Sequence, residues 1–285
     1  KFVLPDKPKR KNGENEEKIE GGFVLEPVTG ILKNIVILDL KNLYPAIMLS
    51  FNMSPETIDS NGEISVGNGV RFSKTTGILK NILIDLINKR DELRALLKKP
   101  EIKNDKNKYT NIYKKQYLYK TFTNSAYGIN LYSGFRLFNV AVGSSITFIG
   151  RFLAHKMKDF ITSMGYTVVR CDTDSSMVDV KASNTEEAIR KGKELETKIN
   201  SAFNEWFADN NNDTSYFSIK FEKLYSLMFS GAEKKLYAGK IVWDWEGGYL
   251  EKPELEIKGF ATVKSDRSSF SRNLQRKMIE LIFDG

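Results

Sequence analysis

Asn34-Ile-Val-Ile-Leu-Asp39 is a short, continuous apolar run that ends in a carboxylate. A run of this kind suits a buried strand, and it carries Asp39 to the strand's end, where chemistry can reach it. A second stretch complements it. Thr167-Val-Val-Arg170 and Met177-Val-Asp-Val180 are strand-like, and the polar bend Cys171-Asp-Thr-Asp-Ser175 lies between them. The spacing predicts a β-hairpin with Asp172 and Asp174 at its tip. Carboxylates remote in sequence, brought together at strand ends, can bridge a pair of Mg²⁺ ions. One ion then activates an attacking hydroxyl, and the other neutralises a leaving phosphate. An acidic residue at a strand end more often just faces water, so neither aspartate carries this reading alone.

Working outward, residues 43–51 read as helix and 58–73 as a loop or small hairpin with Gly62, Gly67 and Gly69. From Ile78 a long helix is expected, because Leu79, Ile82, Leu83, Leu86, Leu93 and Leu97 recur at helical spacing. Pro100 and Asn104-Asp-Lys-Asn107 mark a turn, and a second helix follows over 109–129. Two long helices joined by a short polar tip form an antiparallel hairpin. Arg90, Arg94 and Lys98 make a basic stripe on its first helix, while Gln116, Lys120, Asn124 and Tyr127 share one face of the second. Charged stripes of this kind usually end up solvated.

A third helix spans 139–164, stopped by Gly165, and another runs over 185–207 before the Asn-rich loop 210–213. The stretch 217–263, rich in aromatic and β-branched residues, reads as strands, with turns at Glu246-Gly-Gly248 and at Pro253. The last twenty residues return to helix. Residues 21–30 read as strand and turn, and residues 1–18, polar and Lys-rich with Pro5 and Pro8, as an extended lead-in. The fold class is α+β: an antiparallel sheet with packed helices, plus a helical hairpin.

Composition narrows the chemistry. The single cysteine, Cys171, excludes an internal disulfide and a cysteine-rich zinc site, and the single histidine, His155, excludes most histidine-based metal sites. A metal here is therefore held by carboxylates, which points to Mg²⁺ or a similar hard ion. The net charge of +8 over 285 residues favours a polyanionic partner, nucleic acid or an anionic membrane. No apolar run approaches the ~20 residues that span a bilayer. The chain opens with charge and proline and no initiator Met, so its first residues are not expected to act as a signal peptide.

Several segments together resemble the polymerase module of family B DNA polymerases, especially archaeal ones. Glu20-Gly-Gly-Phe-Val-Leu-Glu-Pro27 looks like the segment leading into that family's palm, and Asp39-Leu-Lys-Asn-Leu-Tyr-Pro45 like its first polymerase motif. Lys120-Thr-Phe-Thr-Asn-Ser-Ala-Tyr-Gly128 matches the fingers motif, and Asp172-Thr-Asp-Ser175 the second metal motif. Lys234-Lys-Leu-Tyr237 resembles the motif that grips the primer, and the stretch 258–266 the junction into the thumb. A lone Asp-Thr-Asp is weak evidence, whereas these segments together, in the family's order, are strong.

The resemblance implies DNA synthesis directed by a template, with two Mg²⁺ ions (or Mn²⁺ in their place) at Asp39, Asp174 and the backbone of Leu40. Asp172 joins the catalytic carboxylates. Arg90 and Lys120, assisted by Lys115, take the nucleotide's phosphates, and Lys120 also serves as a proton donor to pyrophosphate. Leu40, Tyr44, Asn124 and Tyr127 line the incoming nucleotide, with Tyr44 as a steric gate against a 2′-hydroxyl. Gly128, small enough for close approach to the template, Thr173, Lys234, Lys235, Tyr237, Lys258 and Lys264 contact DNA, largely through its backbone.

It also implies a division into a lead-in (1–18), palm (19–77 and 131–265), fingers (78–130) and the start of a thumb or connecting helix (266–285). The implied partners are primer–template DNA, dNTPs, exonuclease and thumb regions on the same or a partner polypeptide, and a sliding clamp, with no membrane. The expected location is cytoplasmic and nucleoid-associated. Too few residues flank the module for an exonuclease or a thumb, so the chain reads as a fragment, a split subunit or a trimmed chain, with weak duplex grip.

Departures from the family pattern are specific. Arg170-Cys171 replaces the usual Tyr-Gly before Asp-Thr-Asp, Asn42 replaces a Ser, Ile19 an aromatic residue, Lys264-Ser265 a pair of arginines and Arg267 a tryptophan. Arg170 is expected either to point to solvent or to bind primer phosphate. Two other classes compete: a non-catalytic nucleic-acid scaffold descended from polymerases, and a different palm enzyme such as an RNA polymerase or reverse transcriptase.

Overall fold

The computed structural model of the chain describes residues 21–209, 215–263 and 266–284. The expected lead-in 1–18, Ile19, Glu20, the loop 210–213, Lys264 and Ser265 lie outside the described residues. In chain order the elements are β1 (Gly30–Leu40), α1 (Leu43–Ser50), a 3₁₀ turn (Pro55–Thr57), β2 (Ile64–Ser65), β3 (Arg71–Phe72), α2 (Ile78–Leu97), α3 (Pro100–Lys103) and α4 (Lys106–Leu131). There follow α5 (Val140–Ser163), β4 (Thr167–Asp172), β5 (Ser175–Asp179), α6 (Thr185–Asp209), β6 (Ile219–Ser230), β7 (Tyr237–Asp244), β8 (Gly248–Lys258), a second 3₁₀ turn (Ala261–Val263) and α7 (Ser269–Asp284). The chain divides into two compact units. Among the described residues, one holds Gly21, Asn42–Gly150 and the described part of 206–217, and the other holds Gly22–Lys41, Arg151–Glu205 and the described part of 218–285.

The second unit is built on a six-stranded antiparallel sheet, order β4-β5-β1-β6-β7-β8. β1 is central because Ile35, Val36, Ile37 and Leu38 are apolar without interruption and so bury both faces. Ile35 and Ile37 pack with Val169, Met177, Tyr225 and Met228 on one face. On α6, Gly192 allows close approach to the sheet, since a Cβ there would meet the Phe221 ring at 2.8 Å. The segment after Gly22 runs along β4, with backbone bonds Thr173 N to Phe23 O, Leu25 N to Cys171 O and Val28 N to Val169 O of 3.0, 3.2 and 2.9 Å. Ile279 and Phe283 of α7 pack with Ala238, Ile257 and Phe260.

Pro253 does not mark a turn. It lies inside β8, which is an edge strand, at the place where the β7–β8 register slips between Ile241 and Trp243. A proline there removes no bond from the ladder.

In the first unit, α2 and α4 pack against each other, joined by the short α3. Asp105 caps α4, its carboxylate accepting from the backbone of Asn107 and Lys108 at 3.1 and 3.0 Å, so the helix begins three residues before the expected Tyr109. Ile82 is 49% exposed although Leu79 and Leu83 are buried. Gln116 lies on the same broad face as Lys120 and Asn124, at helical spacings of four, but differs from them in exposure. It is buried in line with Thr123 and Asn130, while Lys120 and Asn124 are exposed. A seven-residue step nearly completes two helical turns, so 116, 123 and 130 form the inner seam.

Candidate active site

The central strand and the hairpin bring the two aspartates together. In the β1–β5 pairing Asp39 stands opposite Ser175, and the Leu40 N–H donates to the Asp174 carbonyl at 2.7 Å. The backbones of Asp39, at the end of β1, and Asp174, in the turn just before β5, are thus neighbours. The hairpin tip is tight: the Asp174 N–H donates to the Asp172 carbonyl at 2.7 Å, and Thr173 between them has φ 59°. A β-branched residue at positive φ is strained, so the surroundings must hold it there. Gly22 is one such support. A Cβ at Gly22 would lie 2.8 Å from the Thr173 methyl.

The tip is electrostatically acidic. Asp174 is exposed at its end but crowded by protein behind, and this partial desolvation, together with the charges of Asp172 and Glu222, pushes its pKa up against the opposing charge of Lys235. Asp172 is less exposed; Lys235 Nζ stands 3.5 Å from its Oδ1, and the Thr173 hydroxyl lies at 3.4 Å. Glu222, on β6, was not singled out in the sequence. Its signal is a carboxylate in the interior of a strand otherwise rich in aromatic residues, two places after Lys220, which pairs with Asp39 in the β1–β6 register.

Among the described residues, no group of three or more His, Cys, Asp or Glu side chains is arranged to hold a cation. The donor set still fits Mg²⁺. Such an ion is commonly bound through one or two carboxylates, with water and substrate phosphate completing the octahedron. The Leu40 side chain is a hydrocarbon, so its backbone carbonyl is the group this residue could offer a metal.

Arg170 answers to neither sequence expectation. It is 2% exposed, and its guanidinium donates to backbone carbonyls of Glu233, Gly231 and Leu236 at 3.2, 2.7 and 3.1 Å and to the Ser230 hydroxyl at 3.0 Å. It also lies 5.4 Å from the centroid of the Tyr237 ring. Tyr237 opens β7 and pairs with Lys258 on β8, and burial, with the charges of Glu256 and Asp172, pushes its phenol above the usual range. Lys234 and Lys235 are exposed on the loop that Arg170 holds. Lys258 is also exposed, 3.4 Å from Glu256. Cys171 is buried, which raises its thiol pKa.

In the first unit, the Tyr44 and Tyr127 rings stack with centroids 4.3 Å apart. Behind Tyr44 stands Gly150 of α5, where a Cβ would touch the Tyr44 ring at 3.4 Å. Gly150 too went unremarked in the sequence, since an isolated helical glycine carries no local signal of what it faces. Asn42 sits at the start of α1 with φ 51° and accepts from Arg90 Nη1 at 3.4 Å. Burial of Arg90, with the nearby charge of Arg94, lowers its pKa, and its Nε is buried without a partner among the described residues. Lys115, Lys120 and Asn124 are exposed on α4. Gly128 is exposed as well, and a Cβ there would meet nothing within 4 Å.

An antiparallel sheet that brings the backbones of Asp39 and Asp174 next to each other, in a chain that also carries a long helical pair, is the architecture of a polymerase palm-and-fingers region. The chain belongs to DNA polymerase family B: the model of that family matches residues 1–285. It is 32% identical over 284 residues to a DNA polymerase of Archaeoglobus fulgidus, covering 98% of this chain and 32% of the relative. It is also 32% identical over 293 residues to the DNA polymerase delta catalytic subunit of Plasmodium falciparum, covering 93% of this chain and 25% of that one. Identity to a DNA polymerase of Thermococcus gorgonarius is 27% over 287 residues, 98% of this chain and 34% of the relative. The chain thus spans about a third or less of the curated relatives it matches. No helix among the described residues is long and apolar enough to cross a membrane.

Proposed function

We propose that the chain is the palm-and-fingers core of a DNA-directed DNA polymerase, transferring a nucleotide from a dNTP to a primer 3′-hydroxyl and releasing pyrophosphate. The observation that carries the reading is the backbone proximity of Asp39, at the end of β1, and Asp174, in the turn just before β5. In this reading Asp39, Asp174 and the Leu40 carbonyl hold two Mg²⁺ ions, with Mn²⁺ as a substitute and Asp172 beside them. Bound there, the metals supply activation of the 3′-hydroxyl and neutralisation of the leaving phosphate. Arg90, Lys115 and Lys120 hold the triphosphate, where their charge counts most as negative charge gathers on pyrophosphate, and Lys120 delivers a proton to it. Tyr44 closes the space a 2′-hydroxyl needs, and Asn124 and Tyr127 border the nascent base pair. Gly128, Thr173, Lys234, Lys235, Tyr237, Lys258 and Lys264 contact DNA.

Residues 19–77 and 131–265 form the palm and 78–130 the fingers. Residues 266–285 begin a thumb or connecting helix. The working enzyme draws exonuclease and thumb regions from the same or a partner polypeptide, accepts a sliding clamp, and acts at the nucleoid in the cytoplasm. The test is primer extension by the intact protein in Mg²⁺, with dNTPs and with rNTPs, for wild type and Asp174→Ala. Extension with dNTPs that is lost in the variant supports the assignment. Equal extension by both proteins removes it, and binding to DNA without extension favours a scaffold.

A further inference from the structure

We infer that Arg170 is a positioning residue for the primer strand: it fixes the loop 231–236 so that Lys234 and Lys235 are presented to DNA beside the Asp172–Asp174 tip. The inference rests on the polymerase reading above and assigns a task to one of the residues by which this chain departs from its family's pattern.

The loop is held in a conformation it would not adopt alone. Lys235 has φ 66°, a left-handed conformation that non-glycine residues rarely take. Such a residue persists only where its surroundings over-determine it. Two devices do so. On one side Gly259, at φ 76°, lets the backbone come so close that a Cβ there would collide with the Lys235 carbonyl. On the other side the Arg170 guanidinium gathers the carbonyls of Gly231, Glu233 and Leu236 and the Ser230 hydroxyl, groups 60 to 66 residues away in sequence. A buried guanidinium is costly unless its donors are satisfied, and its planar fork suits several acceptors at once. Its Nε alone lacks a partner among the described residues.

Arg170 springs from β4, two residues before Asp172, so the fork joins the loop to the strand that ends in Asp172. Lys235 Nζ stands 3.5 Å from Asp172 Oδ1 at the end of that strand. A tyrosine at position 170 has one hydroxyl and cannot bind four acceptors.

The experiment is a double-mutant cycle on primer–template affinity in the intact protein, read by fluorescence anisotropy across a salt series. The variants are Arg170→Met, the Lys234→Ala/Lys235→Ala pair, and all three changes together. The lysine pair is expected to weaken binding by about tenfold and to flatten the salt dependence, as lost phosphate contacts do. Arg170→Met is expected to reproduce most of both effects, and to add less than about twofold once the lysines are gone. Unchanged affinity in a folded Arg170→Met protein, or effects that simply multiply, overturns the inference and leaves the polymerase reading standing. No effect of the lysine pair overturns both the inference and the primer-grip assignment beneath it. If Arg170→Met does not fold, Ser230→Ala, which removes one acceptor, replaces it, with a two- to threefold weakening expected and the same non-additivity required.

Discussion

Tyr44, at the start of α1, and Tyr127, near the end of α4, stack ring on ring with centroids 4.3 Å apart and planes 25° from parallel. Gly150 leaves room for the Tyr44 ring at a Cβ distance of 3.4 Å. A ring supported on two sides is a rigid wall, as exclusion of an extra hydroxyl requires. Replacing Tyr44 with Val removes the wall, and the preference for dNTPs over rNTPs is expected to fall by about 10- to 100-fold. Paired measurements of kcat/KM for dATP and ATP check this, with an unchanged ratio counting against the gate.

Gly128 separates a stability effect from a functional one. It lies in α4, exposed, with no neighbour within 4 Å of a Cβ. Gly128→Ala is therefore expected to stabilise the fold by about 0.5–1 kcal/mol, through lower backbone entropy in the unfolded chain. If the template passes close to this backbone, the same change slows nucleotide incorporation by at least about tenfold. Thermal unfolding and single-turnover rates should move in opposite directions; a stabilised, fully active variant leaves Gly128 without a role at DNA.

Asn42 combines a backbone and a side-chain task. At φ 51° and ψ 48° it is left-handed, and its amide oxygen accepts from Arg90. Asn42→Ala is expected to cost about 1 kcal/mol from the backbone alone, whereas Asn42→Gly spares that cost. Both lose the contact to Arg90, so both are expected to raise the KM for dNTP by about three- to fivefold. Urea unfolding read beside steady-state kinetics distinguishes the two tasks.

Glu256 predicts an acid-sensitive contribution to stability. It accepts from Lys223 Nζ and from the Tyr225 hydroxyl, both at 2.7 Å. Burial alone would raise its pKa, but these bonds and the charges of Lys223 and Lys258 outweigh that and lower it. A depressed carboxyl pKa stabilises the fold in full above the unfolded value of about 4.5, and the contribution fades as pH falls through the folded value. Glu256→Gln is expected to cost about 1–2 kcal/mol at neutral pH. The gap in melting temperature from wild type should close at acid pH. A pH-independent gap would mean the cost is one of packing.

The sequence made legible whatever depends on neighbours in the chain. The apolar run before Asp39 and the two strand-like stretches around Asp172 and Asp174 are local patterns, and β1, β4 and β5 form where they predict. The long helices α2, α4, α5 and α6 follow from periodicity and punctuation in the same way. Features decided by distant partners were not legible. Arg170 finds its acceptors on a loop more than sixty residues away, mostly backbone carbonyls that no side-chain pattern marks. Glu222 matters through its charge near Asp174, and Gly150 through its closeness to Tyr44. Pro253 misled because a proline signals a turn unless the strand lies at an edge, and strand order is not written locally.

The most direct test of the central claim is to count metal ions. Mn²⁺ is titrated into the intact protein holding a dideoxy-terminated primer–template and a dNTP, and binding is followed by electron paramagnetic resonance. Two ions are expected on wild type, with loss of at least one in folded Asp39→Asn and in folded Asp174→Asn. Undiminished Mn²⁺ binding by a folded Asp174→Asn protein would contradict the claim that these adjacent strand ends hold the metals.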